Sequence, residues 1–422
     1  MRAHPSLLDD WIATLPASVR GVSARLESEG FEAWLVGESL LRTLLGLTPE
    51  AFELATTAPP ERSLELFPQA IPTHLERGVV SVPRGPIPVD LSSFRLGPSL
   101  AHDLAHRDFT LLAMAYRPET QTFLDPYDGQ LHLAARELRC VGEPRERFAE
   151  DPLRMLRAAR LVSEYGFAPQ ADLEAAIATA CDAWKSIEAP RLCRELARLL
   201  LGNHPAEGLG LLRRTGFESR LIRHTQPDSG ALIATLPRAL PVRMAAWLRG
   251  TRPRPLLRQL RFGVERSRQV ESLLEHHPLD RCVNPARDRV LSKLVRQVAP
   301  PDLEALFAMR AWELQHGDDA TDATEATDAR RRLAAIRSGI ERIRLSRERT
   351  RRRTKLALDG TSIMQLLGCE PGREVGAALR FLSERVDADP SLNQPEALRQ
   401  ALLEQKALRA DEKSPPRSLP ES

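Results

Sequence analysis

The chain has 422 residues, with 60 Lys or Arg against 57 Asp or Glu and 42% apolar residues, which is room for two to four domains with full cores and too even a balance for a generally basic nucleic-acid binder. No run approaches the ~18 consecutive apolar residues of a membrane span, and the N-terminus lacks the apolar stretch of a signal peptide. The five cysteines (Cys140, Cys181, Cys193, Cys282 and Cys369) are scattered without a Cys-x-x-Cys pair, which argues against a zinc site or a disulfide framework and fits a reducing, cytoplasmic setting.

In chain order, strands are expected over Ala33–Val36, Phe52–Ala55, Val79–Val82 and Pro88–Ser92, short apolar or alternating runs between Pro, Gly and Arg punctuation. They confine strand–helix mixing to residues 1–140, an α/β head. From about residue 148 the pattern turns helical: Leu153, Leu156, Ala159, Leu161 and Val162 make one apolar face, and Leu192, Leu196, Leu199 and Leu200 another. An all-α neck is therefore expected over 141–205, a helical body over 206–316, a polar linker over 317–329, a helical tail over 330–406 and a disordered end over 407–422. Between Arg330 and Lys355 twelve Lys or Arg stand against two Glu, a net of +10. Such a cluster, including Arg351, Arg352 and Arg353, reads either as a solvated helix face or as a phosphate-contacting RNA surface.

Residues 34–56 carry the chemistry. An apolar strand runs into a turn at Gly37, then a helix ending near Gly46, then a short strand bearing Glu53. A turn that can cradle phosphate, a helix N-terminus and an acidic neighbouring strand make the layout of a nucleotide-transfer site. The stretch resembles the opening of the class II tRNA nucleotidyltransferase and poly(A) polymerase family, whose pattern is Leu-Val-Gly-Gly-x-Val-Arg-Asp-x-Leu-Leu-Gly followed by Asp-x-Asp. Two aspartates one residue apart on a strand share a face and so can hold metal ions together. This chain has Ala51 and Glu53 at those positions, Glu38 for the second glycine, and Leu41 for the arginine. Glu50 is adjacent, but alternation turns it to the other face. A third family carboxylate falls in Asp90-Leu91-Ser92-Ser93-Phe94-Arg95, where Asp90 is kept.

Further segments extend the resemblance. Asp103-Leu104-Ala105-His106-Arg107-Asp108-Phe109-Thr110-Leu111-Leu112-Ala113 is similar to Asp-Leu-x-Arg-Arg-Asp-Phe-Thr-Ile-Asn-Ala and keeps Arg107 and Asp108. Asp125-Pro126-Tyr127-Asp128-Gly129 reads as a turn. Glu150-Asp151-Pro152-Leu153-Arg154-Met155-Leu156-Arg157-Ala158-Ala159-Arg160 matches a family motif whose Asp and Arg read the incoming base, here Asp151 and Arg154. On the residues alone, Asp151, Arg154 and Arg157 at i, i+3 and i+6 read as an acidic helix cap with ion pairs along one face. Arg191, Glu195 and Leu196 match a neck motif, and Leu358–Asn393 resembles the tail of longer bacterial members.

The resemblance implies a DNA polymerase beta-like nucleotidyltransferase head followed by helical neck, body and tail. It implies ATP and CTP as substrates, magnesium held by Glu53 and Asp90 as catalytic carboxylates, and nucleotide contacts from Gly37, Arg107, Asp108, Asp151, Arg154 and Arg157. The expected partner is a tRNA or other RNA 3′ end. The expected function is RNA 3′-end nucleotide addition, CCA-adding or poly(A)-type, impaired by the loss at position 51; the alternative is an inactive pseudoenzyme that still binds RNA.

Overall fold

The computed structural model describes residues 15–74, 78–94, 99–222, 226–316, 323–353 and 356–411. They form two compact units, Met1–His277 with Pro301–Gln315, and Pro278–Pro300 with His316–Ser422.

The first unit opens with helix α1 (Ala17–Ser28), β1 (Ala33–Val36), α2 (Gly37–Leu44), β2 (Phe52–Thr56), α3 (Pro60–Leu66), β3 (Ile71–His74), β4 (Val79–Val82), β5 (Val89–Ser93), α4 (Leu100–Ala105), β6 (Ala115–Arg117) and β7 (Thr122–Leu124). The strands make one mixed sheet in the order β3-β4-β5-β2-β1-β6-β7, in which only β2 and β5 run parallel. The four expected strands are all present, and β3, β6 and β7 are additional. All four residues of β1 are buried because both its faces are covered. Ala33 and Leu35 pack with Val19, Val22 and Leu26 of α1, while Trp34 and Val36 pack with Ala55, Ala115, Leu100 and Leu104. A central strand covered on both sides needs this unbroken apolar run, and alternation would put a polar group in one core.

The rest of this unit is helical: α5 (Gly129–Ala135), α6 (Pro144–Glu150), α7 (Leu153–Tyr165), α8 (Ala171–Ala180), α9 (Ala189–Leu201) and α10 (Pro205–Arg214), then shorter helices from Phe217 to Glu275 and the helix Pro300–His316. A two-residue pair, β8 (Glu137–Leu138) with β9 (Ala168–Pro169), ties the start of α8 back towards the head. Helix α7 packs on α9 and α10, burying Leu153, Leu156, Ala159 and Val162 against Leu192, Leu196, Leu199 and Leu200.

In the second unit, α11 (Asp288–Gln297) packs on the long helix α12 (Ala323–Arg353). Leu291 lies so close to Gly339 that a Cβ there would come within 2.4 Å of it, so residues 278–300 associate with the later helices although the body was expected to continue to 316. Helices α13 (Gly360–Leu367), α14 (Arg373–Ala388) and α15 (Pro395–Asp411) close a core of Ile363, Val375, Ala378, Leu382, Leu398 and Leu402. Helix α12 starts at Ala323, inside the segment expected to be a linker, and Glu325 in its first turn suits the helix dipole. Residues 317–322 and those beyond Asp411 lie outside the described residues, as do the side chains of Arg351, Arg352 and Arg353 at the end of α12. No helix among the described residues is long and apolar enough to cross a membrane.

Candidate active site

The turn between β1 and α2 is built on Gly37, whose φ of +68° favours glycine. The space demands it too: a Cβ there would lie 2.5 Å from Oε2 of Glu53 and 2.9 Å from Nη1 of Arg107. Ser39 stitches the turn to β2, its hydroxyl donating to the Val36 carbonyl at 2.8 Å and accepting from the Glu53 amide at 3.0 Å. Glu53 thus stands beside Gly37, and the parallel register sets it opposite Asp90 on β5. The two surviving carboxylates do share one sheet face, as the strand spacing requires.

Glu53 has a cation as its neighbour. Arg107 Nη2 donates to Glu53 Oε1 at 3.1 Å and to Asp103 Oδ2 at 2.9 Å, and its Nε reaches the same Asp103 oxygen at 3.1 Å. The Arg107 guanidinium and Asp103 are both buried. Burial works against the Arg107 charge, and Glu53 and Asp103 outweigh it, raising its pKa further. The residues present therefore do not fit a two-ion centre. Ala51 offers no ligand atom, Glu53 is engaged by a guanidinium, and among the described residues no group of three or more His, Cys, Asp or Glu is placed to hold a metal ion.

Behind this pair a chain of alternating charges joins head to neck. Asp108 pairs with Arg157 and, at 2.5 Å, with Nε of Arg154. Burial would raise its carboxyl; Arg157 and Arg154 overcome that and lower it. Arg154 also pairs with Glu150 at 2.6 Å and donates to the His106 carbonyl at 3.0 Å. Asp151 accepts from the Leu153 amide at 3.1 Å and pairs with Arg191 of α9 at 2.6 Å. The two residues expected to read a base, Asp151 and Arg154, are thus both held in ion pairs around the first turn of α7. The Asp125 side chain likewise accepts from the Gly129 and Gln130 amides, at 2.6 and 2.9 Å, and makes the expected turn.

The charge chain continues through Glu38 and Glu195, which the motifs singled out, and through Arg160, Glu164, Tyr165 and Arg198, to which the sequence reading gave no role. Glu195 links Arg157 at 3.6 Å to Arg160 at 2.6 Å. Arg160, whose side chain is 2% exposed, also pairs with Glu164 at 2.6 Å and with Glu38 at 3.0 Å. Arg198 of α9 pairs with Glu38 and with Glu164, and the Tyr165 hydroxyl donates to Glu38 Oε1 at 2.8 Å. Arg160 continues the three-residue spacing of Asp151, Arg154 and Arg157, a signal that was there to be used. Arg198 has no such local mark. Leu41, aligned with a family arginine, is fully buried in the head, and its neighbour Arg42 donates to the Thr48 carbonyl at 3.0 Å and to Tyr165 at 3.2 Å.

This network has a pH signature. Burial alone would raise the Glu38 carboxyl, and the Arg160 and Arg198 charges with the hydrogen bonds from Arg198 and Tyr165 outweigh it, holding it at about 2 against an ordinary 4.5. A carboxylate depressed in the folded chain stabilises it above the unfolded pKa and loses that contribution as pH falls through the folded one. Asp108 acts in the same direction. Glu164 acts oppositely: burial, reinforced by Glu38, raises it despite Arg160 and Arg198. Replacing Glu38 by Gln is expected to lower Tm at neutral pH and to flatten its fall between pH 4.5 and about 2, followed by circular dichroism. An unchanged slope would place the acid sensitivity elsewhere.

A family model described as "Poly A polymerase head domain" matches residues 84–139, and one described as "Probable RNA and SrmB- binding site of polymerase A" matches residues 166–227. The CCA-adding enzyme of Latilactobacillus sakei is 30% identical over 400 residues, covering 89% of this chain and 95% of its own. That of Levilactobacillus brevis is 28% identical over 399 residues, covering 90% and 95%. The crystal structure of the Bacillus stearothermophilus CCA-adding enzyme in complex with CTP matches with a TM-score of 0.62 at 26% identity, over 94% of this chain and 100% of that one.

Proposed function

The chain belongs to the class II CCA-adding enzyme and poly(A) polymerase family, and on that premise we propose that it binds a tRNA or similar RNA 3′ end and is impaired in adding nucleotides to it. The carrying observation is the Arg107–Glu53 ion pair beside Ala51. Metal-assisted transfer needs carboxylates free to hold the ions that activate the 3′-hydroxyl and steady the leaving pyrophosphate. Here one carboxylate is absent and another is neutralised. Magnesium, if bound, would have Glu53 and Asp90 as its protein ligands, with ATP or CTP as the nucleotide. The test is a purified-protein reaction with tRNA lacking its 3′ end, each labelled nucleotide separately, and magnesium or manganese. Complete inactivity, the pseudoenzyme form of this reading, is favoured by the occupation of the phosphate turn by Glu38.

RNA binding is supported by where the positive charge lies. On α12, Leu333, Ile336 and Ile340 are buried while Arg330, Arg331, Arg332, Arg337, Arg342 and Arg347 are exposed, an apolar stripe with cations spread around the rest of the helix. A second cluster escaped the sequence reading: Arg252, Arg254, Arg258, Arg261, Arg266 and Arg268 are all exposed, with Glu265 the one exposed acid among them. Prolines interrupt this stretch, so no helical charge pattern marks it. Clustered cations on phosphate release counterions, so tRNA affinity should fall steeply with salt. Neutralising Arg351, Arg352 and Arg353 together is expected to lower the log–log salt slope by about 0.7–0.9 for each phosphate left unneutralised, as is neutralising Arg258, Arg261 and Arg266. Filter binding across a salt series measures this, and parent-like slopes in both variants would sink the assignment of these surfaces to RNA.

A further inference from the structure

We propose that Glu38 stands in for a bound phosphate: Arg160, Arg198 and the Tyr165 hydroxyl form an oxyanion site at the β1–α2 turn that this chain fills with its own carboxylate, so that a polyphosphate binds there once Glu38 is removed. The inference deepens the family reading of that turn and rests on it.

Three donors from two distant helical segments converge on one oxygen. Oε1 of Glu38 receives Arg160 Nη1 at 3.0 Å, Tyr165 Oη at 2.8 Å and Arg198 Nη2, and Oε2 lies 3.3 Å from Arg198 Nη1. A phosphate oxygen offers the same acceptor chemistry, and a guanidinium pair suits either group. The charge count makes the site specific to this arrangement. Arg147, Arg154, Arg157, Arg160 and Arg198 face Asp108, Glu38, Glu150, Glu164 and Glu195, five against five. Without Glu38 the set is left with one net positive charge, Arg160 is buried, and both guanidiniums keep donors aimed at the vacated place. Arg160 keeps Glu164 and Glu195, and Arg198 keeps Glu164, but the network as a whole then carries an unbalanced, largely buried positive charge, so an anion that fills the gap is bound and stabilises the fold. In the parent the internal carboxylate competes at very high effective concentration and carries no binding entropy cost, which excludes a free anion.

The experiment titrates the full-length parent, Glu38→Ala and Glu38→Gln with inorganic pyrophosphate and with CTP, without RNA, by calorimetry and thermal shift. Glu38→Ala is expected to bind pyrophosphate at least about tenfold tighter than the parent and to gain Tm on adding it, where the parent does not. CTP should follow pyrophosphate, which separates a phosphate site from a base site; CTP binding without pyrophosphate binding overturns the proposal. Glu164→Gln removes a carboxylate from the same two arginines but leaves Glu38 in the oxyanion place, so it should gain much less than Glu38→Ala. Equal gains in Glu164→Gln, a folded Glu38→Ala that binds no better than the parent, or a parent that already binds pyrophosphate as tightly each overturns it. Should Glu38→Ala fail to fold, Glu38→Gln keeps the side-chain volume, and absence of any pyrophosphate-dependent Tm gain in it overturns the proposal equally. These readouts use no RNA. A parent that fails to bind tRNA sinks the proposed function, whereas a Glu38 variant blind to pyrophosphate sinks only this assignment.

Discussion

Nucleotide addition to a tRNA lacking its 3′ end should run on the order of 10³-fold or more slower than in a relative with both aspartates, which is about 4 kcal/mol of barrier. The size follows from what the site has lost. A metal that lowers the pKa of the attacking hydroxyl and neutralises the leaving pyrophosphate is held by carboxylates, and position 51 supplies a methyl group. The remaining acid on β2 is 3.1 Å from a buried guanidinium, so a divalent ion at Glu53 would have to approach the Arg107 charge or displace it. Arg107 is not easily displaced, since Asp103 holds it through two further hydrogen bonds. Single-turnover assays with labelled CTP and ATP, at enzyme in excess over RNA, give the rate directly. Addition at the rate of an intact relative would refute the prediction and would mean that exposed Glu50, or another acid, has been recruited to the metal.

The sheet that carries this site was largely legible in the sequence. Strands β1 and β4 fall on the expected residues, and β2 and β5 differ by single residues at their ends, because each is an apolar stretch with clear punctuation. The missed strands fail that test for physical reasons. Strand β3 holds Pro72 and leaves Ile71 57% exposed at the sheet edge, and β6 and β7 have three residues each, too few to show a period. The site was legible as a set of positions and illegible as a set of partners. Glu38 reads locally as a negative charge turned towards a polyanion. Its partners are 122 and 160 residues away on α7 and α9, and only the fold reveals that the charge is already matched. Glu53 is the same case, its cation lying 54 residues on. Leu41 shows the converse: set beside a motif it looks like a missing arginine, and in the fold it is a core residue.

That last contrast decides how the site should be rebuilt. Ala51→Asp with Glu53→Asp is expected to create a divalent-ion site and to restore RNA extension by on the order of 10²-fold or more over the parent. Either change alone should do much less. Ala51→Asp alone places one carboxylate next to an acid still paired with Arg107. Shortening Glu53 by one methylene withdraws its carboxylate by roughly 1.5 Å from a guanidinium now 3.1 Å away, beyond ion-pairing reach, while Asp103 keeps Arg107 in place. The two aspartates then share a face with Asp90, whose register opposite position 53 is already set by the sheet. Adding Glu38→Gly should strengthen CTP binding, because it empties the place facing Arg160 and Arg198. Adding Leu41→Arg should not help: position 41 is fully buried, and a guanidinium there without a partner costs several kcal/mol. Manganese binding by electron paramagnetic resonance and extension on a labelled-nucleotide gel read the two effects separately. A folded triple variant that binds neither manganese nor CTP would show that the head has lost more than these positions. Restoration that requires Leu41→Arg would show instead that this helix can turn its buried face to the nucleotide.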